Sequence, residues 1–307
     1  MRRALAWIAL AVVVVAVAGG VVLYRQITHL THERITDDVH VIFGLGGNVG
    51  VLRTGEGTVI VDTMTFPLQG ERVRALAEEL TGEPVVAIVN THYHFDHTHG
   101  NPGFAEHVRI VATERTRRHL LERDSEFWEG RESFVPGETF HDEHVLRFGR
   151  KTVRLVHPGP GHTDGDLVAL FVEDGVVHMG DLLSVGRYPN IDLEAGGTVE
   201  RWPATLDAVL ALPFERVIPG HGPLTDRAGI ERFRDFLAEL WQAAVTARDN
   251  GWTLDETLER TRLTRDAGLE PYVVPLIVRL DRGFVVRRAW EEATGAVPPP
   301  GATPGAP

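Results

Sequence analysis

His92-Tyr93-His94-Phe95-Asp96-His97 decides the reading of this 307-residue chain, because four side chains able to bind a metal fall within six residues. They come shortly after Val85-Val86-Ala87-Ile88-Val89, an apolar run of the kind a buried strand presents. His92 and His94 stand two apart, so on extended backbone their rings leave on the same side. Asp96 and His97 follow where the chain must turn and aim at a second point close by. Imidazole together with carboxylate suits zinc, iron or manganese better than calcium or magnesium. A merely His-rich surface loop would need no partners elsewhere in the chain.

Partners do occur downstream, each at the end of a strand-like run and beside glycine. They are His162 in Pro158-Gly159-Pro160-Gly161-His162-Thr163-Asp164-Gly165-Asp166, Asp181 in Met179-Gly180-Asp181-Leu182-Leu183, and His221 in Ile218-Pro219-Gly220-His221-Gly222. Glycine lets the backbone bend tightly and come close to a ligand, as a site built on strand-end loops requires. One such motif carries little weight; four in this order make a specific signal.

With these residues in view, the chain resembles the metallo-β-lactamase superfamily of hydrolases, from about Asp37 to about Leu224. The resemblance also takes in Asn48-Val49-Gly50-Val51-Leu52 and the strand Thr58-Val59-Ile60-Val61-Asp62-Thr63. It implies an α/β fold, the αββα sandwich, and a glyoxalase II-like ligand set. On that set His92, His94 and His162 hold one metal, Asp96, His97 and His221 hold the second, and Asp181 bridges them. The implied cofactors are two divalent metal ions, zinc first, with iron or manganese as alternatives. Asp96 is also the implied catalytic residue, a ligand that orients the attacking hydroxide. Lactamases with a cysteine at the second metal are excluded, since the chain has no Cys. The Asp181 bridge disfavours the other broad-spectrum lactamase subclass.

Composition is that of a globular protein, 43% hydrophobic and 24% charged, and the length allows one or two domains with a substantial core. The formal net charge is −12, and no run of five or more Lys or Arg occurs in the folded part. Phosphate binding draws on clustered basic residues, so nucleic acid is not expected as a partner. The expected partner is a small-molecule substrate; oligomeric state is left open. Zero cysteines suit an exported or a cytosolic protein equally.

The N-terminus bears on location. Ala4 to Tyr24 is uncharged, with Arg2-Arg3 before it and Arg25 after it. Such a stretch reaches about 30 Å as a helix, enough to cross a bilayer core. The paired arginines favour a cytoplasmic N-terminus with the rest outside. Ala16-Val17-Ala18 is also a signal-peptidase-like site, although the apolar stretch runs on past it. An uncleaved transmembrane anchor is the preferred expectation, leaving the enzyme membrane-anchored and facing the periplasm or cell exterior, or secreted if the segment is cleaved.

The chain therefore divides into residues 1–26 as anchor or signal peptide, 37–225 as catalytic domain, 226–295 as a C-terminal helical region and 296–307 as a disordered Pro/Gly-rich tail. Three hairpins are expected: Gly50–Arg53 with Thr58–Asp62, Val145–Phe148 with Thr152–Val156, and Leu167–Val172 with Val176–Met179. Gln69–Leu80 is expected as a helix with Val73, Leu76 and Leu80 on one face. Beyond His221, the spacing of Ile230, Phe233, Phe236-Leu237, Leu240-Trp241 and Ala244-Val245 predicts an amphipathic helix. Thr253-Leu254-Asp255-Glu256 predicts a capping box. Val273, Leu276-Ile277, Leu280 and Phe284 predict a third helix, broken near Gly283. This region is expected to pack on the sandwich, with walling of the substrate pocket or a dimer contact as alternatives.

Two cations sharing a water lower its pKa towards neutrality. The expected function is hydrolysis of a small ester, thioester, lactone or lactam; a phosphate also suits the chemistry. The alternatives are an iron-dependent persulfide dioxygenase-like enzyme, which needs only one metal, and a non-catalytic metal-binding relay component of an exported redox pathway. Intact ligands for two metals count against both. Around the site, His99 is expected to pack rather than act, and His157 and His178 to support the ligand motifs by hydrogen bonding. Asp62, a carboxylate ending a buried strand, needs partners. Asp164 and Asp166 are expected to fix the loop around His162. Tyr188 is considered as a donor to a substrate oxygen. Asp124–Phe140, with Phe127-Trp128, is read as a substrate-contacting flap, against the plainer view that its aromatics pin the loop down.

Overall fold

Alternation in the strands explains the layering. In β4 (Thr58–Val61), Val59 and Val61 turn to one face and Ile60 to the other, and all three are fully buried. In β10 (Val168–Phe171), Ala169 and Phe171 oppose Val168 and Leu170, again buried on both faces. A strand apolar on both faces must be covered on both, which forces a layered structure.

The computed structural model describes residues 19–21, 24–274 and 278–297. It contains a seven-stranded and a five-stranded sheet. The first runs β1 (Thr31–Arg34), β2 (Val39–Phe43), β3 (Val49–Arg53), β4, β5 (Val85–Val89), β6 (Arg109–Thr113), β7 (Glu138–Phe140). Neighbours are antiparallel up to β4 and parallel from β4 onward. The second has the order β12 (Arg216–Ile218), β11 (Val176–His178), β10, β9 (Lys151–Val156), β8 (Glu143–Phe148), with only β11 and β12 parallel.

Val59, Val61, Ala87, Val89 and Val111 from the first sheet share one core with Leu155, Ala169, Phe171 and Ile218 from the second. Ile60, Ile88 and Ile110 on the outer face pack with Val73 and Ala77 of the helix Pro67–Thr81. Val168, Leu170, Val177 and Val217 on the other outer face pack beneath Trp202, Leu206, Phe233, Phe236 and Leu240. Each fully buried aliphatic side chain contributes about 1.5–3 kcal/mol.

The three expected hairpins are present as β3–β4, β8–β9 and β10–β11. The helix expected at Gln69–Leu80 spans Pro67–Thr81: proline supplies a preset first turn, and Gly82 at φ 73° ends it. The amphipathic run after His221 is the helix Arg227–Asp249, and Thr253 caps Leu254–Arg260 through the expected capping box.

One expectation fails. The stretch read as a helix through Val273–Phe284 contains two paired antiparallel strands, β13 (Tyr272–Val274) and β14 (Val278–Leu280), before the helix Arg282–Thr294 begins at its Asp281 cap. Spacing at three and four is matched by chance in a short valine- and isoleucine-rich segment. β-Branched residues suit strands, and Pro275 cannot sit in a helix interior. The expected membrane span falls almost wholly outside the described residues, as does most of the tail. Among the described residues, no helix is long and apolar enough to cross a membrane.

Candidate metal centre

β9 and β11 run the same way, and β12 is parallel to β11. The loops carrying His162, Asp181 and His221 therefore leave from one end of the second sheet. β4 and β5 are likewise parallel and deliver Asp62 and the His92–His97 loop from their C-terminal ends. All seven expected ligands meet here. His92, His94, His162 and Asp181 offer donor atoms within 4.8 Å of one another, and Asp96, His97 and His221 do the same.

Local geometry differs in one respect from the extended reading of His92–His94. β5 ends at Val89, and the two histidines lie in a bend before the short helix Phe95–Thr98. Their ring centroids are 4.9 Å apart at 88°, so both still face one centre.

Hydrogen bonds orient four of the five rings. His97 Nδ1 donates to Asp62 Oδ2 at 2.8 Å, and His94 Nε2 to Asp192 Oδ2 at 2.9 Å. His162 Nδ1 donates to the Asn190 carbonyl at 3.0 Å. Thr91 Oγ1 donates to Asp62 and so accepts from His92 Nδ1 at 3.0 Å. Carboxylates and carbonyls only accept, so the opposite nitrogen of each neutral ring carries a bare lone pair. Those lone pairs converge. His162 Nε2 lies 2.7 Å from His94 Nδ1, and His97 Nε2 lies 3.4 Å from His221 Nε2. Buried His92 Nε2 and Asp181 Oδ1 make no hydrogen bond among the described residues.

Asp181 faces both groups. Oδ1 is 3.2 Å from His97 Nε2 and 3.3 Å from His221 Nε2, while Oδ2 is 3.7 Å from His162 Nε2. Asp96 Oδ2 adds distances of 3.3 Å to His221 Nε2 and 3.7 Å to His97 Nε2. A tetrahedron with metal–ligand bonds of about 2.0–2.1 Å has edges of about 3.3–3.4 Å. Four of the five distances at the second group, 3.2 to 3.4 Å, match those edges, and the fifth is 3.7 Å. The donor set therefore fits divalent metal.

Electrostatics separate the two groups in the metal-free protein: burial would lower His97 and His221, but Asp181 and Asp96 outweigh it and raise both, His221 to about 9, whereas the first group is shifted the other way. Burial, then neighbouring His94, pushes His162 down to about 4, and burial holds His92 well below the ordinary histidine range. Both are neutral and ready to donate at neutral pH. Burial alone would raise Asp181 and Asp96, but His221 and His97 hold both below the usual carboxylate range. Backbone approach completes the cradle: a Cβ on Gly220 would fall 2.1 Å from Asp181 Oδ1.

The supporting residues sort clearly. Asp62 is fully buried at φ 66°, a conformation costly for a non-glycine residue, and accepts from Thr91 N, Thr91 Oγ1 and His97. Asp62→Asn is expected to weaken binding at the second metal position about 10–100-fold. Competition of the variant and parent with a chromophoric chelator checks this; equal affinities would remove Asp62 from the site. Asp166 accepts from Thr163 N and Oγ1 and Asp164 pairs with His119, bracing the His162 loop as expected. His178 Nε2 donates to the Asn48 carbonyl, and His157 Nδ1 to the Asp166 carbonyl. His99 packs, stacked on Phe127 at 3.4 Å and paired with Asp124.

Two expectations are revised. Trp128 is buried against Leu120 and Val135, and its Nε1 donates to Asp124, so the Asp124–Phe140 aromatics pin their loop down rather than forming a flap. Tyr188 lines the cavity, but its hydroxyl donates to Asp266 at 2.9 Å and is committed there. Asp192, which also accepts from the Tyr93 hydroxyl, was not legible beforehand: a lone Asp eleven residues past Asp181 has no spacing rule. Tyr272 and Leu280 also escaped. Both line a cavity of about 450 Å³ that includes His94, Asp96, Asp181 and His221, so the C-terminal region walls the pocket as well as packing on the sheet.

Two packed sheets with helices outside and a His/Asp cluster at strand ends define a metallohydrolase-type fold. The sequence model of the metallo-beta-lactamase superfamily matches residues 42–221, and the chain belongs to that superfamily. It is similar to the linear primary-alkylsulfatase of a Pseudomonas species, 24% identical over 73% of this chain and 51% of that protein. It thus spans about half the length of that relative. It is 28% identical to the 2,4-dinitroanisole O-demethylase subunit alpha of a Nocardioides species, over 78% of this chain and 69% of that protein. Among solved structures, a metallo-beta-lactamase from Pontibacter korlensis superposes with a TM-score of 0.55 at 19% identity, over 68% of this chain and 99% of that one. This last likeness concerns the fold alone.

Proposed function

We propose that the protein is a dinuclear metallohydrolase acting on an ester, thioester, lactone or lactam, with His92, His94 and His162 at one zinc ion, Asp96, His97 and His221 at the other, and Asp181 between them. The observation that carries the reading is the convergence of seven nitrogen and oxygen donors in two adjoining groups, the second at tetrahedral-edge distances. When bound, the cations supply Lewis acidity, acidifying a water and polarising the carbonyl.

The chain's own residues do the rest. Asp192, Asn190, Thr91 and Asp62 hold four of the imidazoles turned inward. Asp181 offers one oxygen to each group and offsets the positive charge. Asp96 lines the cavity with its side chain 22% exposed, more open than Asp181 at 9%. As an ionised carboxylate it would accept a hydrogen bond from the attacking water and orient it. The leaving group departs into the cavity, whose wall carries Leu45, Phe66 and Leu280.

Elemental analysis should find two divalent metals per chain, with turnover of at least one member of a chromogenic ester, thioester, lactone and cephalosporin panel. Less than one metal per chain, after growth with zinc and with iron, overturns the reading. A single iron would instead favour the dioxygenase alternative.

A further inference from the structure

Most of the cavity beside the metal cluster is apolar, and three of its side chains stay open: Leu45 is 40%, Phe66 39% and Phe95 50% exposed. One cation stands among them. Arg187 lines the same cavity, with its guanidinium 5.0 Å over the Tyr272 ring. Two arginines nearby in the C-terminal region are paired, Arg282 with Asp266 and Arg288 with Glu194 and Glu291. Arg187 has no carboxylate at ion-pair distance among the described residues, although the chain carries a net charge of −12.

Its position is held from both sides. Glu270 N donates to the Gly186 carbonyl at 2.9 Å, and the Tyr188 hydroxyl is tied to Asp266 at 2.9 Å. Stacking on a ring orients a guanidinium while leaving its N–H edge free to grip an oxyanion in two places. Arg187 is half-buried with no ion-pair partner among the described residues, so an anionic ligand group can form a charge-assisted contact with it.

We propose that Arg187, braced on Tyr272, binds an anionic group of the substrate, so that this site takes molecules pairing an apolar body with a carboxylate, sulfate or phosphate away from the bond that is cut. The proposal rests on the hydrolase reading for the cut but not for the binding. The substrate lies with its reactive group at the His/Asp cluster, its apolar body against Leu45, Phe66 and Phe95, and its anion on Arg187.

The test uses the zinc-loaded full chain and two matched pairs of probes. 4-Nitrophenyl hydrogen adipate and 4-nitrophenyl hexanoate differ only in a terminal carboxylate, as do the uncleaved amides adipamate and hexanamide. The ratio of kcat/KM within the ester pair, and of Kd by calorimetry within the amide pair, should favour the anion. Arg187→Gln should reduce each ratio about 10–100-fold, as loss of a charge-assisted contact does, with Arg187→Lys between. Unchanged ratios in Arg187→Gln overturn the proposal, including the case where both members of a pair fall together, as a purely structural role predicts. If no ester is cleaved while the amide ratio still depends on Arg187, the hydrolase reading fails and the anion site stands. If esters are cleaved and both ratios ignore Arg187, the reverse holds.

Discussion

On the proposed dinuclear reading, Asp181→Ala should lose at least about 1,000-fold in hydrolysis, because several kcal/mol of charge stabilisation would depend on the pair of cations it would join. Its two oxygens lie 3.2 and 3.3 Å from His97 and His221 on one side and 3.7 Å from His162 on the other, so its removal strips a donor from both groups at once. Metal retention should fall with activity, since affinity at such a site follows the number of deprotonated ligands. Asp181→Asn keeps the shape and loses the charge, and should fall between parent and alanine variant. His99→Ala serves as the contrast. That ring stacks on Phe127 and pairs with Asp124, away from the converging donors, and its loss should cost at most about 10–100-fold. Metal content and hydrolysis rate of the three variants decide the matter. An Asp181→Ala protein that keeps two metals and near-parent turnover would mean the carboxylate is a bystander.

Stripping the metals should lower the melting temperature by roughly 10 °C, given about 4 kcal/mol of linkage at a thousandfold excess over Kd. The pH dependence of that gap has a definite sign. In the metal-free protein burial would lower the pKa of His221, but Asp181 and Asp96 outweigh it and raise it to about 9. A folded pKa above the unfolded one of about 6.5 gives stability that is complete below pH 6.5 and lost as pH rises through 9. The metal-free protein should therefore melt progressively lower between those values. The metal-loaded protein should not, because metal binding requires neutral imidazole and strengthens as protons leave. The gap should widen with rising pH. Thermal melts with and without chelator at pH 6.5, 7.5 and 9 measure it; a gap that narrows would show that the histidines do not exchange protons for metal.

The metal donors were legible because ligand chemistry is local. Four of the seven lie within six residues, and the others sit in short glycine-flanked motifs whose residue types restrict what they can do. The residues that orient them were only partly legible. Asp62 could be marked as a buried carboxylate in need of partners, but nothing said that the partners are Thr91 and His97. Asp192 lies 98 residues from the ring it holds, and no local signal spans that separation.

The strands, their hairpins and the long helix after His221 follow from apolar period and turn chemistry, which act over a few residues and survive without tertiary context. Tyr272–Leu280 does not, because a short β-branched segment satisfies the helical and the extended spacing alike. Glu270, just before it, pairs with Gly186–Tyr188. Sequence alone thus determined the superfamily layout, the apolar faces and the set of candidate metal donors. Only the tertiary structure decided which oxygen orients which ring, that Tyr188 is occupied while Arg187 is not, and that the C-terminal strands wall the pocket. Those are contacts between chain segments far apart in sequence, set by how the layers pack rather than by any residue's own preference.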